Sequence, residues 1–165
     1  MGDKLWPAPE DYRQSWTNSC WAAVLHAFCK GTPGRPKLTE KEIADFYDSE
    51  TNRTWTYADG TIKPEGFQKL LTEARFGMKT EQWDPETFTA KPDHLAQKLG
   101  NGWVILGYYE PKISGGHACL VYGIKGKTVH YLNPDSSSGG LLKDDISYFK
   151  GKLKTGKMIV AWRAW

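Results

Sequence analysis

The sequence predicts an α+β fold in which an N-terminal helical half packs on a C-terminal antiparallel sheet, because the hydrophobic period changes along the chain. Up to Gly100 the apolar residues recur at helical spacing, and beyond it come short β-branched and aromatic runs bounded by Gly and Pro. Helices first and strands second is the order of the α+β class, and the cleft between the two halves is a natural place for a site. At 165 residues with 39% apolar residues, one compact domain spanning 1–165 is expected.

The elements follow in order. Residues 1–19 are polar and proline-bearing, and the run Cys20 to Lys30 is apolar nearly all round, which predicts a buried helix ended by Gly31, Pro33, Gly34 and Pro36. Thr39-Glu40-Lys41-Glu42 reads as a capping box opening a second helix with Ile43, Phe46 and Tyr47 on its apolar face. A third helix starts near Pro64, carries Phe67, Leu70, Leu71 and Ala74, and stops by Gly77; a short fourth runs from Pro92 to Leu99. Strands are expected over Trp103–Tyr109, Ala118–Gly123, Thr128–Leu132 and Met158–Trp165, the middle two forming a hairpin across the 123–127 turn. Ser136 to Gly140 reads as a loop within the sheet.

Composition excludes several classes. The net charge of +3, from 22 basic and 19 acidic residues, makes no single-sign field, so nucleic acid is not an expected partner. Lys150, Lys152, Lys154 and Lys157 read as a solvated face. Three cysteines without a C-x-x-C pair indicate neither a disulfide framework nor a zinc site, and no metal or other cofactor is expected. No signal peptide and no membrane span is visible, so the chain is expected to be cytosolic when made, with export by a signal-independent route left open.

Within this frame one set of residues suggests acyl-transfer chemistry. Cys20 stands where the first helix begins, and backbone N–H groups at a helix start favour a thiolate, whereas Cys29 lies about half a turn around the same helix. Gln14, six residues earlier, has a side-chain amide able to donate to an oxyanion beside a backbone N–H. Among the histidines, His26 sits on the apolar helix, His94 on the short helix and His130 inside a strand. His117 differs, because it follows Ser114-Gly115-Gly116 and opens a strand at the edge of the cleft. The hairpin brings the end of the next strand back beside His117, so Asn133 or Asp135 can orient the imidazole.

These residues resemble a family. Gln14-x5-Cys20 within Ser19-Cys20-Trp21-Ala22, then His117, then Asn133, is similar to the papain-like cysteine proteases over roughly residues 12–135. The short layout with His117-x15-Asn133-Pro134 looks most like two compact bacterial branches: the leader-peptide peptidase domains of bacteriocin exporters and the effector proteases of plant pathogens. The resemblance implies Cys20 as nucleophile, His117 as general base and acid, Asn133 as its orienting residue and Gln14 as oxyanion donor. It also implies the papain-like fold. Thr17 and Asn18 stand where the larger enzymes have a disulfide cysteine and a glycine, so that bridge is absent. Asn133-Pro134 replaces the Asp-Pro common in the exporter branch, and no inhibitory propeptide is visible before Gln14.

The function implied is an endopeptidase acting on a protein substrate, in the setting of a bacterial effector or interbacterial toxin whose producer keeps an inhibitor or immunity protein. Two alternatives use the same residues differently. One keeps the acyl-enzyme and changes the acceptor, giving deamidation, transglutamination or cell-wall amide hydrolysis. The other is a peptide-binding module without catalysis.

Overall fold

The computed structural model describes residues 2–48, 55–84, 86, 88, 91–110, 115–152 and 158–165; Ser114, Lys154 and Lys157 of the sequence reading lie outside these. Helix α1, Cys20–Gly31, is buried along most of its length, as an all-round apolar sequence requires. Thr32 is extended at its end, where Pro33 cannot continue the helix. Helix α2, Glu40–Asp48, opens with the expected capping box. The Glu42 N–H donates to Thr39 Oγ1 at 3.1 Å, and the Thr39 N–H donates to Glu42 Oε2 at 2.7 Å. Helix α3, Pro64–Thr72, has proline in its first turn and ends before Ala74, with Gly77 beyond it in the left-handed region at φ 61°. Helix α4, Pro92–Lys98, runs into a 3-10 turn at Leu99–Asn101.

Among the described residues, seven strands form one antiparallel sheet. They are β1 (Lys4–Leu5), β2 (Met78–Trp83), β3 (Val104–Glu110), β4 (Gly115–Lys125), β5 (Thr128–Asn133), β6 (Gly140–Asp145) and β7 (Met158–Arg163). Their spatial order is β2-β7-β3-β4-β5-β6, with the two residues of β1 paired to Gly123 and Ile124 of β4. The hairpin of β4 and β5 is the one expected, and β7 inserts between β2 and β3.

The N-terminal helices pack on one face of the sheet, as expected, and the other face is covered as well. Alternation sends Ile105, Ala118, Leu120, Leu132, Ile159 and Ala161 toward α1, α2 and α3. The opposite residues Val104, Leu106, Tyr108, Cys119, Val121 and Tyr131 meet α4 and a 3-10 segment, Ile146–Lys152. Among the described residues no helix is long and apolar enough to cross a membrane.

Candidate active site

The β4–β5 register brings the first two site residues together. Leu120 pairs with Leu132 and Val121 with Tyr131, so the same alternation sets Asn133 opposite Cys119, one diagonal step from His117 on one face. His117 Nε2 lies 2.7 Å from Asn133 Oδ1. The Asp135 N–H also donates to that oxygen, at 3.1 Å, which fixes how the amide is turned. Because an amide oxygen only accepts, Nε2 is the protonated nitrogen of His117, and Nδ1 is left as the basic one. The imidazole is 7% exposed and packs edge-on to Tyr108, ring centroids 5.7 Å apart.

One detail of the sequence reading is corrected here. His117 does not open its strand: Gly115 and Gly116 already pair with Glu110 and Tyr109, and His117 is the third residue of β4. Glycines keep both main-chain hydrogen-bonding groups, so they extend the β3 ladder instead of forming a hinge.

Asp135, the other candidate for orienting His117, is engaged in its own turn. Its Oδ1 accepts from the Ser137 and Ser138 N–H groups at 2.9 and 2.8 Å, and from their hydroxyls at 2.9 and 3.1 Å. These bonds, led by the Ser138 N–H, hold its carboxyl at about 2. The turn closes over Gly139, where a Cβ would sit 2.3 Å from the carbonyl oxygens of both Asn133 and Asp135, so no larger residue fits without moving Asn133.

Cys20 is the first residue of α1 and is 6% exposed. The backbone N–H of Ala118, the residue after His117, lies near enough to the thiol to favour its ionised form. Ala118 lies beyond Leu120, where the β4–β5 ladder has its last register pair. The expected stabilisation of a thiolate by the helix start is present but outweighed. Burial pushes the Cys20 thiol up to about 11, against the pull of the N–H groups of Ala118, Trp21 and Cys20 itself. A resting thiol therefore needs a base at the moment of attack.

The helix ladder begins where the Ala23 N–H donates to the Ser19 carbonyl at 3.0 Å, so the N–H groups of Cys20 and Trp21 precede it and face the start of the helix. Gln14 is tied to the same place from the other side, because its N–H donates to the carbonyl of Pro134 at 2.7 Å. Its side-chain Nε2 donates one hydrogen to the Trp16 carbonyl at 2.9 Å and keeps a second. Gln14 Oε1 is buried with no partner among the described residues. The structure thus pairs His117 with Asn133 across β4 and β5 and ties the Gln14 main chain to Pro134, while Cys20 opens α1, the helix that packs on β4.

The remaining histidines are engaged elsewhere. His26 Nδ1 contacts the Leu38 carbonyl at 2.7 Å, His94 packs on Trp83 and His130 on Tyr122. All three cysteines are buried, and none is in a disulfide. Burial also raises the Cys29 thiol to about 11, but Cys29 is fully enclosed, without the N–H donors that Cys20 has. Iodoacetamide is therefore expected to label Cys20 well before Cys29, with a rate that climbs steadily from pH 7 to about pH 10. Equal labelling, or a rate already level at neutral pH, would contradict that account, and peptide mapping after timed quenching measures both.

Two features were not read from the sequence. Asn18 has φ 68°, the left-handed conformation that glycine or asparagine adopts most readily, so the backbone handedness is kept at a position where the resemblance has glycine. Asn18 Nδ2 donates to the Asp59 carbonyl at 3.0 Å and Trp21 Nε1 to the Gly60 carbonyl at 3.1 Å, fastening the 57–61 turn beside the cysteine. A cleft of about 250 Å³ opens there between Trp16, Asn18, Trp21, Asp45 and Gly60. Trp21 is core, whereas Trp16 is 46% exposed on the cleft rim.

A helix that starts on a cysteine and packs on an antiparallel sheet, with an imidazole and an amide paired on neighbouring strands, defines the papain-like cysteine peptidase fold. The solved peptidase domain of Streptococcus ComA, a bifunctional ABC transporter of a quorum-sensing pathway, shares this fold at TM-score 0.61 and 18% identity. That match covers 92% of this chain and 96% of that one. A putative C39-like peptidase from Bacillus anthracis matches at TM-score 0.61 and 10% identity over 99% and 98% of the two chains. A double-glycine-motif protease from an AMS/PCAT transporter, solved with its leader peptide, matches at 0.53 and 15% over 99% and 100%. No family model matches the sequence, and no curated protein does.

Proposed function

We propose that the chain is a cysteine endopeptidase with Cys20 as nucleophile, His117 as base and acid, Asn133 as the group that orients His117, and Gln14 as an oxyanion donor. The observation that carries the reading is the 2.7 Å His117–Asn133 hydrogen bond between β4 and β5, with Cys20 at the first residue of the helix that packs on β4. In the reaction Cys20 Sγ attacks a peptide carbonyl carbon while its proton passes to His117 Nδ1. The oxyanion is received by the second Gln14 Nε2 hydrogen and the Cys20 N–H. Collapse breaks the C–N bond, the amine leaves with the proton from His117, and water activated by His117 then releases the acid.

A protein or peptide substrate is supported by the relative solved with its leader peptide. Delivery into a recipient cell as an effector or toxin, with a protein inhibitor in the producer, belongs to the same proposal and rests on the resemblance in sequence.

The test is mass spectrometry of a cell extract incubated with the chain and, in parallel, with Cys20→Ala. New peptide termini that depend on Cys20 support proteolysis. Intact chains heavier by about one mass unit at glutamine would replace it with deamidation through the same acyl-enzyme.

A further inference from the structure

Glu40, the first residue of α2, is 2% exposed. Among the described residues its hydrogen-bond partners are all neutral, and all belong to the arc Tyr12–Ser19. Oε1 accepts from the Ser15 N–H at 3.0 Å and the Ser19 hydroxyl at 2.6 Å. Oε2 accepts from the Tyr12 hydroxyl at 2.8 Å, the Ser15 hydroxyl at 3.1 Å and the Ser15 N–H at 3.2 Å. Enclosing a carboxylate without a cation is costly and is rarely chosen for stability alone, since an apolar residue packs there more cheaply.

What these bonds hold is specific. Ser15 follows Gln14 and Ser19 precedes Cys20, so one carboxylate grips the arc immediately beside both proposed oxyanion donors. Inside the arc the Trp16 carbonyl receives the Gln14 Nε2 hydrogen at 2.9 Å and the Ser19 hydroxyl at 2.8 Å. Asn18 turns the chain through its left-handed conformation. An arc bent through such a residue relaxes unless it is held, and oxyanion donors act only within about 2.7–3.1 Å of the developing charge.

We propose that Glu40 is a positioning residue that keeps the Gln14 amide and the Cys20 N–H aimed at one point. This rests on the reading of Cys20 as an acylated nucleophile. Glu40 touches neither substrate nor thiol and works through Ser15 and Ser19.

The test compares two reactions of the full chain and its Glu40→Ala and Glu40→Gln variants. With p-nitrophenyl acetate, Sγ bonds to the acetyl carbon, the thiol proton goes to His117, p-nitrophenolate leaves, and an oxyanion forms on the way. With iodoacetamide, Sγ displaces iodide in one step and no oxyanion forms. Glu40→Ala is expected to slow the p-nitrophenolate burst by about 10- to 100-fold, as small displacements of catalytic groups do, and alkylation by less than about twofold. Glu40→Gln keeps one acceptor oxygen and should lose less. Placed on Gln14→Ala, the Glu40→Ala change should add less than about threefold, because the two act as one unit. Equal slowing of both reactions, no slowing, or full additivity with Gln14→Ala overturns the assignment. If Glu40→Ala fails to fold, a Glu40→Gln chain with an undiminished burst also overturns it, leaving a structural anchor. A parent chain that is alkylated at Cys20 yet shows no burst defeats the peptidase reading itself, and the parent alone reveals that.

Discussion

Cys20→Ala is expected to reduce peptide-bond cleavage by roughly 10,000-fold or more, and His117→Ala to cost about as much. The reason lies in the burial that raises the Cys20 thiol to about 11. At neutral pH a thiol with that tendency is almost wholly protonated, so neither partner does useful work without the other. The double variant should therefore be scarcely worse than either single one. Cleavage rates of the two single variants and the double, with thermal melts to confirm folding, test this. A His117→Ala chain that retains a tenth of the parent rate would remove the imidazole from the reaction.

Gln14→Ala should lower turnover by about 100-fold, as loss of a single oxyanion donor does, while leaving the melting temperature nearly unchanged. Stability is insulated because the main-chain tie from Gln14 to Pro134 stays, and the Trp16 carbonyl keeps the Ser19 hydroxyl. The unpartnered Oε1 points the same way. A buried acceptor without a donor costs about 1–3 kcal/mol, so this amide is not arranged for stability. Steady-state cleavage and a melt on one preparation decide the matter, and unchanged turnover would exclude Gln14 as a donor.

The pairing of His117 with Asn133 could be anticipated because a hairpin is a local object, whose turn after Gly123 dictates which residues return beside each other. The four main helices were legible for the same reason: capping at Thr39–Glu42 and apolar spacing after Pro64 are local signals. The choice between Asn133 and Asp135 needed coordinates, since it turns on Ser137 and Ser138 claiming the Asp135 carboxylate. β2 and β6 lie at the sheet edges, where Lys79, Glu81 and Lys143 face solvent and blur the alternating pattern. Glu40 gave no sign either. In sequence it is an ordinary first-turn acid, and its partners stand 21 to 28 positions earlier.

The thiol was misjudged in a different way. A position at a helix start can be read from sequence, but enclosure of the sulfur by β4 is a tertiary fact, and here desolvation exceeds the dipole.

The place of β7 governs the order of assembly. Among the described residues Met158–Arg163 is the sole sheet partner of β2, and it covers the second edge of β3, pairing Met78 with Arg163 across about half of the chain. Until those late residues arrive, β2 has no ladder to join and β3 presents a bare flank of main-chain amides and carbonyls. Closing so long a loop is entropically slow. Nascent chains should therefore linger in a form whose hairpin is complete but whose sheet is open, the stage at which intermolecular strand pairing and chaperone capture compete with folding.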